Sequence, residues 1–148
     1  MRRVLHLGVL VVPYTYGKSH RTTGDVATIL EARYGVVRTF VTLTQAPLRE
    51  IFAKEAAKAV TATLTGKPET REPMQGALDA VARSFRKFIL ARGMDGTKGV
   101  PTLAAQHGVN HRLRHPYAKR NPERQSFFDT GLYIGSFKVW FDEKGGDQ

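Results

Sequence analysis

Hydrophobic residues along this chain fall into blocks whose spacing changes from two to between three and four, and then loses its period. Near the start, Leu5, Leu7, Val9 and Val11 alternate with Val4, His6, Gly8 and Leu10, which is the two-residue period of a β-strand. Pro13 cannot donate to a ladder and ends it, so residues 1–13 read as an N-terminal strand or arm. Apolar side chains on both faces call for cover on both sides, from the same chain or from a neighbouring subunit. Arg2 and Arg3 ahead of the apolar run mimic an export signal. Pro13, Tyr14, Thr15 and Tyr16 lack the small residues a signal peptidase requires, and the strand reading is preferred.

The spacing then turns helical. Thr22 and Thr23 offer N-caps for a helix over residues 25–33, with Asp25 in the first turn, Val26, Ile29 and Leu30 on one face and Gly35 as the stop. Val36, Val37, Phe40 and Val41 fit a short helical stripe, while the β-branched density of residues 36–43 also admits a strand. Pro47 suits a first helical position, and Leu48, Ile51, Phe52, Ala56, Ala59, Val60 and Leu64 continue the stripe until Gly66 and Pro68. A polar link over 67–72 leads to Pro73 and a further stripe of Met74, Ala77, Leu78, Val81, Phe85, Phe88 and Ile89, ended by Gly93. So short a connector makes these two helices an antiparallel hairpin, each hiding its stripe against the other.

Periodicity vanishes over residues 93–125, an extended basic loop rich in glycine and proline. It carries Lys98, Arg112, Arg114, Lys119, Arg120 and Arg124 against Asp95 and Glu123. A loop of this length inside one domain is generally either disordered or used to bind something, and it is taken as the functional arm. Beyond it, Asp129, Thr130 and Gly131 form a structural turn, with one helical turn at 132–135. Phe137, Val139 and Phe141 then alternate with Lys138 and Trp140 as a half-buried strand does. Residues 143–148 read as a mobile tail.

Composition narrows the class. A chain of 148 residues is one domain, 1–148, large enough to bury roughly 70% of its unfolded surface without a staple. The mean hydropathy of −0.32 leaves no membrane partner to expect. Without cysteine there is no disulfide, thiolate nucleophile or Cys-ligated metal. The excess of 23 Lys and Arg over 13 Asp and Glu gives a formal charge of +10 and favours polyanionic or acidic partners.

Several short strings invite a catalytic reading and lack its context. Gly17, Lys18 and Ser19 spell the end of a phosphate loop, but Val12 stands where its first glycine belongs. Phe127, Phe128, Asp129, Thr130 and Gly131 match the catalytic string of retropepsin-like proteases, yet only 17 residues follow Gly131, too few for a flap and closing strand, and Leu132 replaces a small residue. The simpler reading is an Asp side chain capping its own turn. His107, His111 and His115 have i, i+4, i+8 spacing, but Gly108 and Pro116 oppose a helix there, and the histidines are read as part of a basic surface rather than a metal site. No catalytic residues, metal or cofactor are expected. Arg112, Arg114, Lys119, Arg120 and Arg124 are the candidate contacts, to DNA phosphates or to acidic groups of a partner protein. Protein contact is preferred to sequence-specific readout, because no standard nucleic-acid recognition motif is present.

The run from Gly24 to Gly35, the helical middle, the glycine-rich 93–109 and the closing run from Ser126 to Trp140, headed by the Ser126-Phe127-Phe128-Asp129-Thr130-Gly131-Leu132 block, together resemble small neck or tail-completion proteins of tailed bacteriophages. The resemblance covers most of the chain from about Gly8, and the closing block is its most specific part. It implies an α+β fold, an antiparallel helix hairpin on a small, mainly antiparallel sheet with a long basic loop. It further implies a non-enzymatic virion component, assembled in the host cytoplasm, that forms a ring of its own copies at the head-to-tail junction. Its partners would be adjacent neck, portal-side or tail proteins, with non-specific contact to genome DNA. The competing class is a free-standing basic nucleic-acid-binding protein.

Overall fold

A computed structural model describes residues 3–15, 20–67, 74–109, 114–128 and 131–142. Among them the order is β1 (Leu5–Val9), α1 (Thr23–Tyr34), α2 (Val36–Leu64), α3 (Gln75–Leu90), α4 (Leu103–Gln106), α5 (Leu132–Gly135) and β2 (Phe137–Phe141), an α+β fold. None of these helices is long and apolar enough to cross a membrane. The polar link and Pro73 lie outside the described residues, apart from Lys67, as does the C-terminal tail.

Helix α1 starts where a capping box can form. Thr22 Oγ1 accepts from the backbone N–H of Asp25, and the Asp25 carboxylate accepts from the backbone N–H of Thr22. The next residue, Thr23, is fully buried, and its hydroxyl donates to the Leu10 carbonyl while accepting from the Val12 N–H at 2.8 Å. The chain leaving β1 is thereby stapled to the first turn of α1. At the other end Gly35, with φ of 60°, takes the left-handed conformation that ends α1. Gly35 has no side chain with which to cap α2, and the Glu31 carboxylate does so, accepting from the backbone N–H groups of Val37 at 2.7 Å and Arg38 at 3.3 Å.

Residues 36–64 form one helix, not two elements. The strand alternative for 36–43 does not occur, and Pro47 lies inside α2 rather than at its start. Proline withholds one hydrogen bond, the one owed to the Leu43 carbonyl. Leu43 and Pro47 are both exposed, so water can serve that carbonyl. The gain from continuity is the unbroken burial of Val36, Phe40 and Leu48, four and eight residues apart on one face.

Helix α3 buries Ala77, Leu78, Val81, Phe85 and Ile89 of the expected stripe, Phe88 packs half-buried beside them, and Met74 stands before the helix as its cap residue. Phe40 meets Phe85 and Phe88 near one end of the pair, while Gly76 lies against Glu55 near the other, so the two helices run antiparallel. With 29 residues against 16, α2 is about 43 Å long and α3 about 24 Å, so the longer helix overhangs.

Among the described residues the sheet has two strands, paired antiparallel from Leu5 opposite Phe141 to Val9 opposite Phe137. On its inner face Phe137 and Val139 are buried and Leu5, Leu7 and Val9 pack on the core. The outer face of β1, which the sequence suggested would need cover, is only partly covered: the Trp140 ring lies over Gly8 and beside His6, while Val4 and Leu10 stay exposed. His6 stacks on Trp140 with centroids 5.5 Å apart, and its Nε2 lies 2.8 Å from Asp142 Oδ2.

Phe85 is the meeting point. Fully buried, it stacks on Phe137 of β2 at 3.8 Å between centroids, takes Phe40 of α2 edge-on at 5.3 Å, and meets Tyr133 of α5 at 6.3 Å. From the same helix Arg86 Nε donates to the Ile134 carbonyl. Replacing Phe85 with Ala is expected to cost about 3–5 kcal/mol in denaturant unfolding, more than any single change at an exposed position. Replacing Thr23 with Val, which keeps the shape but strands the Val12 N–H and Leu10 carbonyl, is expected to cost about 1–2 kcal/mol in the same measurement.

Candidate functional site

The segment 93–125 is irregular, as its lost periodicity suggests, but its described parts are not a loose arm. Met94, Val100, Ala105 and Val109 are buried, and Met94 and Val100 belong to the main core. The one-turn α4 is capped by Thr102, whose hydroxyl accepts from the Ala105 N–H, while Ser126 Oγ accepts from the Thr102 N–H at 3.1 Å. The outgoing and returning limbs are tied by backbone bonds, Asn121 N–H to the His107 carbonyl and Arg124 N–H to the Ala105 carbonyl, both 3.0 Å. Gly108 permits this approach: its φ is 58°, and a Cβ there would fall 2.1 Å from the Pro122 carbonyl oxygen.

The candidate contact residues separate into two groups. Arg114, Lys119 and Arg120 are exposed. Arg124 is half-buried and turned inward. Its Nε approaches the Val109 carbonyl at 3.4 Å, and its Nη1 donates to the carbonyls of Gln125 at 3.1 Å and Phe128 at 2.8 Å. A guanidinium presents several donors in a fixed fork, and here that fork gathers backbone acceptors from separate parts of the loop. Arg124 thus ties the loop together with the same guanidinium that was expected to meet a partner. The segment's two acidic residues converge on Arg92, whose Nη1 is 2.8 Å from Glu123 and 3.9 Å from Asp95.

Arg112, Asp129 and Thr130 lie outside the described residues, as do His111 and the Gly17, Lys18, Ser19 string. Gly131, the described member of the structural turn, has φ of 77° and precedes α5, the single helical turn anticipated there. Of the remaining loop histidines, His107 closes α4 and His115 is exposed. Among the described residues no three His, Asp or Glu side chains cluster as metal ligands would.

Folding the segment back creates a groove that no motif announced. A cavity of about 490 Å³ lies between α1 and the loop, with Arg21, Arg33, Tyr34, Leu103, Tyr117 and Arg124 among its lining. Tyr133 also borders it, mostly buried, and burial pushes its phenol well above the usual tyrosine range, with the Glu31 carboxylate adding to the shift. Tyr34 and Phe127 meet edge-on at 5.2 Å along the same wall. The surface is aromatic with guanidinium groups around it, suited to an acidic or aromatic side chain on a partner. Arg33 was accessible to sequence reasoning, because it stands four residues after Ile29 and seven after Val26 on the same face of α1. The connector's Arg21 had no such signal.

Near the start of α1, the Asp25 carboxyl is held below its usual range, chiefly by the Thr22 backbone N–H and then by the Thr22 hydroxyl. That effect belongs to the helix cap and has no part in the groove.

Comparisons with protein-family models, with curated proteins and with solved structures found no match to this chain.

The division of the basic residues is open to measurement. Arg124→Ala is expected to lower stability by about 2 kcal/mol, since it leaves half-buried carbonyls without their charged donor, whereas Arg114→Ala, Lys119→Ala and Arg120→Ala should leave the thermal midpoint within about a degree.

Proposed function

We propose that this chain is a structural virion protein of a tailed phage, a subunit of a ring at the head-to-tail junction that contacts adjacent rings. The supporting observation is the surface built around segment 93–125. A basic stretch is anchored into the core, displays Arg114, Lys119 and Arg120, and borders an aromatic, arginine-lined groove rimmed by the exposed side chains of Leu103 and Tyr117. Leu10 and Val11 at the exit of β1 are also exposed, Val11 at 71%. Apolar side chains beside fixed charges are what a surface needs when it must fit a neighbour in one orientation. The same features support a non-enzymatic role, in which the residues serve fit and charge rather than bond making. The closing block from Ser126 to Leu132, through its resemblance to neck and tail-completion proteins, supplies the particular assembly.

The exposed cations also favour contact with the genome, which a neck must let pass. A positive lumen attracts DNA without reading sequence. A free-standing nucleic-acid-binding protein is the second reading supported by this cluster.

Electron microscopy of the purified protein separates the two. Rings, or density on assembled particles, are expected; a monomer that shifts duplex DNA at low salt would replace the neck reading with the binding-protein one. For DNA contact, changing Arg114, Lys119 and Arg120 together to Ala should weaken binding to generic duplex and flatten the salt dependence by roughly 0.9 in log–log slope per lost phosphate contact. Unchanged binding would dismiss a DNA-facing loop.

A further inference from the structure

Helix α2 has a second apolar stripe that the fold leaves uncovered. Leu43, Ala46, Ala53, Ala57, Val60 and Leu64 are separated by steps of three and four, with Glu50 filling the missing place in the series. At 100° per residue these positions fall within an arc of about 100°, on the opposite side of the helix from Leu48, Ile51 and Phe52, which face the core. Every member is exposed, Leu43 at 63%, Val60 at 59% and Leu64 at 82%, so Val60 and Leu64 do not share the core-facing stripe of Leu48, Ile51 and Phe52 that the sequence spacing predicts for them. Alternating threes and fours is the spacing of a coiled-coil seam, whereas a helix with one buried face needs only its inward stripe.

We propose that this stripe pairs antiparallel with the same stripe of a second copy of the chain. Two features of the stripe select that occupant. Size is self-complementary over residues 43–60: with a two-fold axis near residue 52, Leu43 packs beside Val60 of the second copy and Ala46 beside its Ala57, so large meets large and small meets small. Leu64 lies beyond this overlap, level with Thr39 of the second copy. Charge is complementary in the same register. Glu50, the one acidic residue in the stripe, comes beside Ala53 of the second copy with Lys54 next to it, and the symmetry repeats the pair. A helix contact of roughly 30 Å covers on the order of 1,000 Å² in total, at the lower edge of specific interfaces, so the dimer is expected at micromolar concentrations. This pairing does not rest on the neck reading.

A chain without cysteine allows a direct test by single-cysteine variants and a short bismaleimide cross-linker, with the full-length protein at tens of micromolar. Ala53→Cys should cross-link to its own kind, and Leu43→Cys mixed with Val60→Cys should give a heterodimer. Leu64→Cys alone should not, since the two copies of that position stand at opposite ends. Adding Leu43→Glu and Val60→Glu to the Ala53→Cys chain should cut its cross-linking at least about tenfold while circular dichroism shows an unchanged fold. Self-linking of Leu64→Cys would overturn the antiparallel geometry. No linkage at any of these positions would overturn the proposal, including where microscopy shows a ring built on other faces. Conversely, linkage in a chain that forms no ring would leave the dimer standing and remove the neck reading.

Discussion

The stacked pair of Phe85 and Phe137 is the contact on which the remaining structure depends, because it joins the helix hairpin to the sheet through two rings 3.8 Å apart. A two-stranded sheet has little stability of its own in water. It persists here because β2 lays Phe137 and Val139 on α3, and β1 is then held by pairing with β2 and by packing its inner residues on the same core. The two described strands thus depend on a helix from the middle of the chain. Phe40 and Tyr133 close around the same ring, so α2 and α5 are oriented by the contact that fixes the sheet.

How much of this was legible depended on whether burial was periodic. Helix α3 could be read because its large apolar residues occupy one face, and the two strands because Phe137 and Val139 alternate with Lys138 and Trp140, and Leu5, Leu7 and Val9 with their neighbours. Helix α2 was harder. Its apolar residues lie on two faces, which blurs a single stripe, and Pro47 stands where a helix start would place it. Only the long-range demand to bury Val36, Phe40 and Leu48 together shows that the helix runs through.

The 93–125 segment resists reading for a related reason. Met94, Val100, Ala105 and Val109 are buried at irregular intervals, and the bonds that close the loop on itself, Asn121 to His107 and Arg124 to Ala105, join backbone groups far apart in sequence, which no local pattern records. Charge counting located the basic stretch but could not give the direction of each side chain. Arg124 turned inward to backbone carbonyls, while Arg114, Lys119 and Arg120 stayed outside. The groove combines residues from the connector, α1 and the loop, and so emerges only from their packing.

The junction at Gly35 has a further effect on the first half of the chain. Glu31 belongs to the last turn of α1, yet its carboxylate satisfies the opening N–H groups of α2, while the Gly35 amide returns to the Glu31 carbonyl. One residue therefore finishes one rod and begins the next. Fraying at this corner would release both ends at once, so α1 and α2 are expected to behave as one cooperative unit in hydrogen exchange despite the break between them.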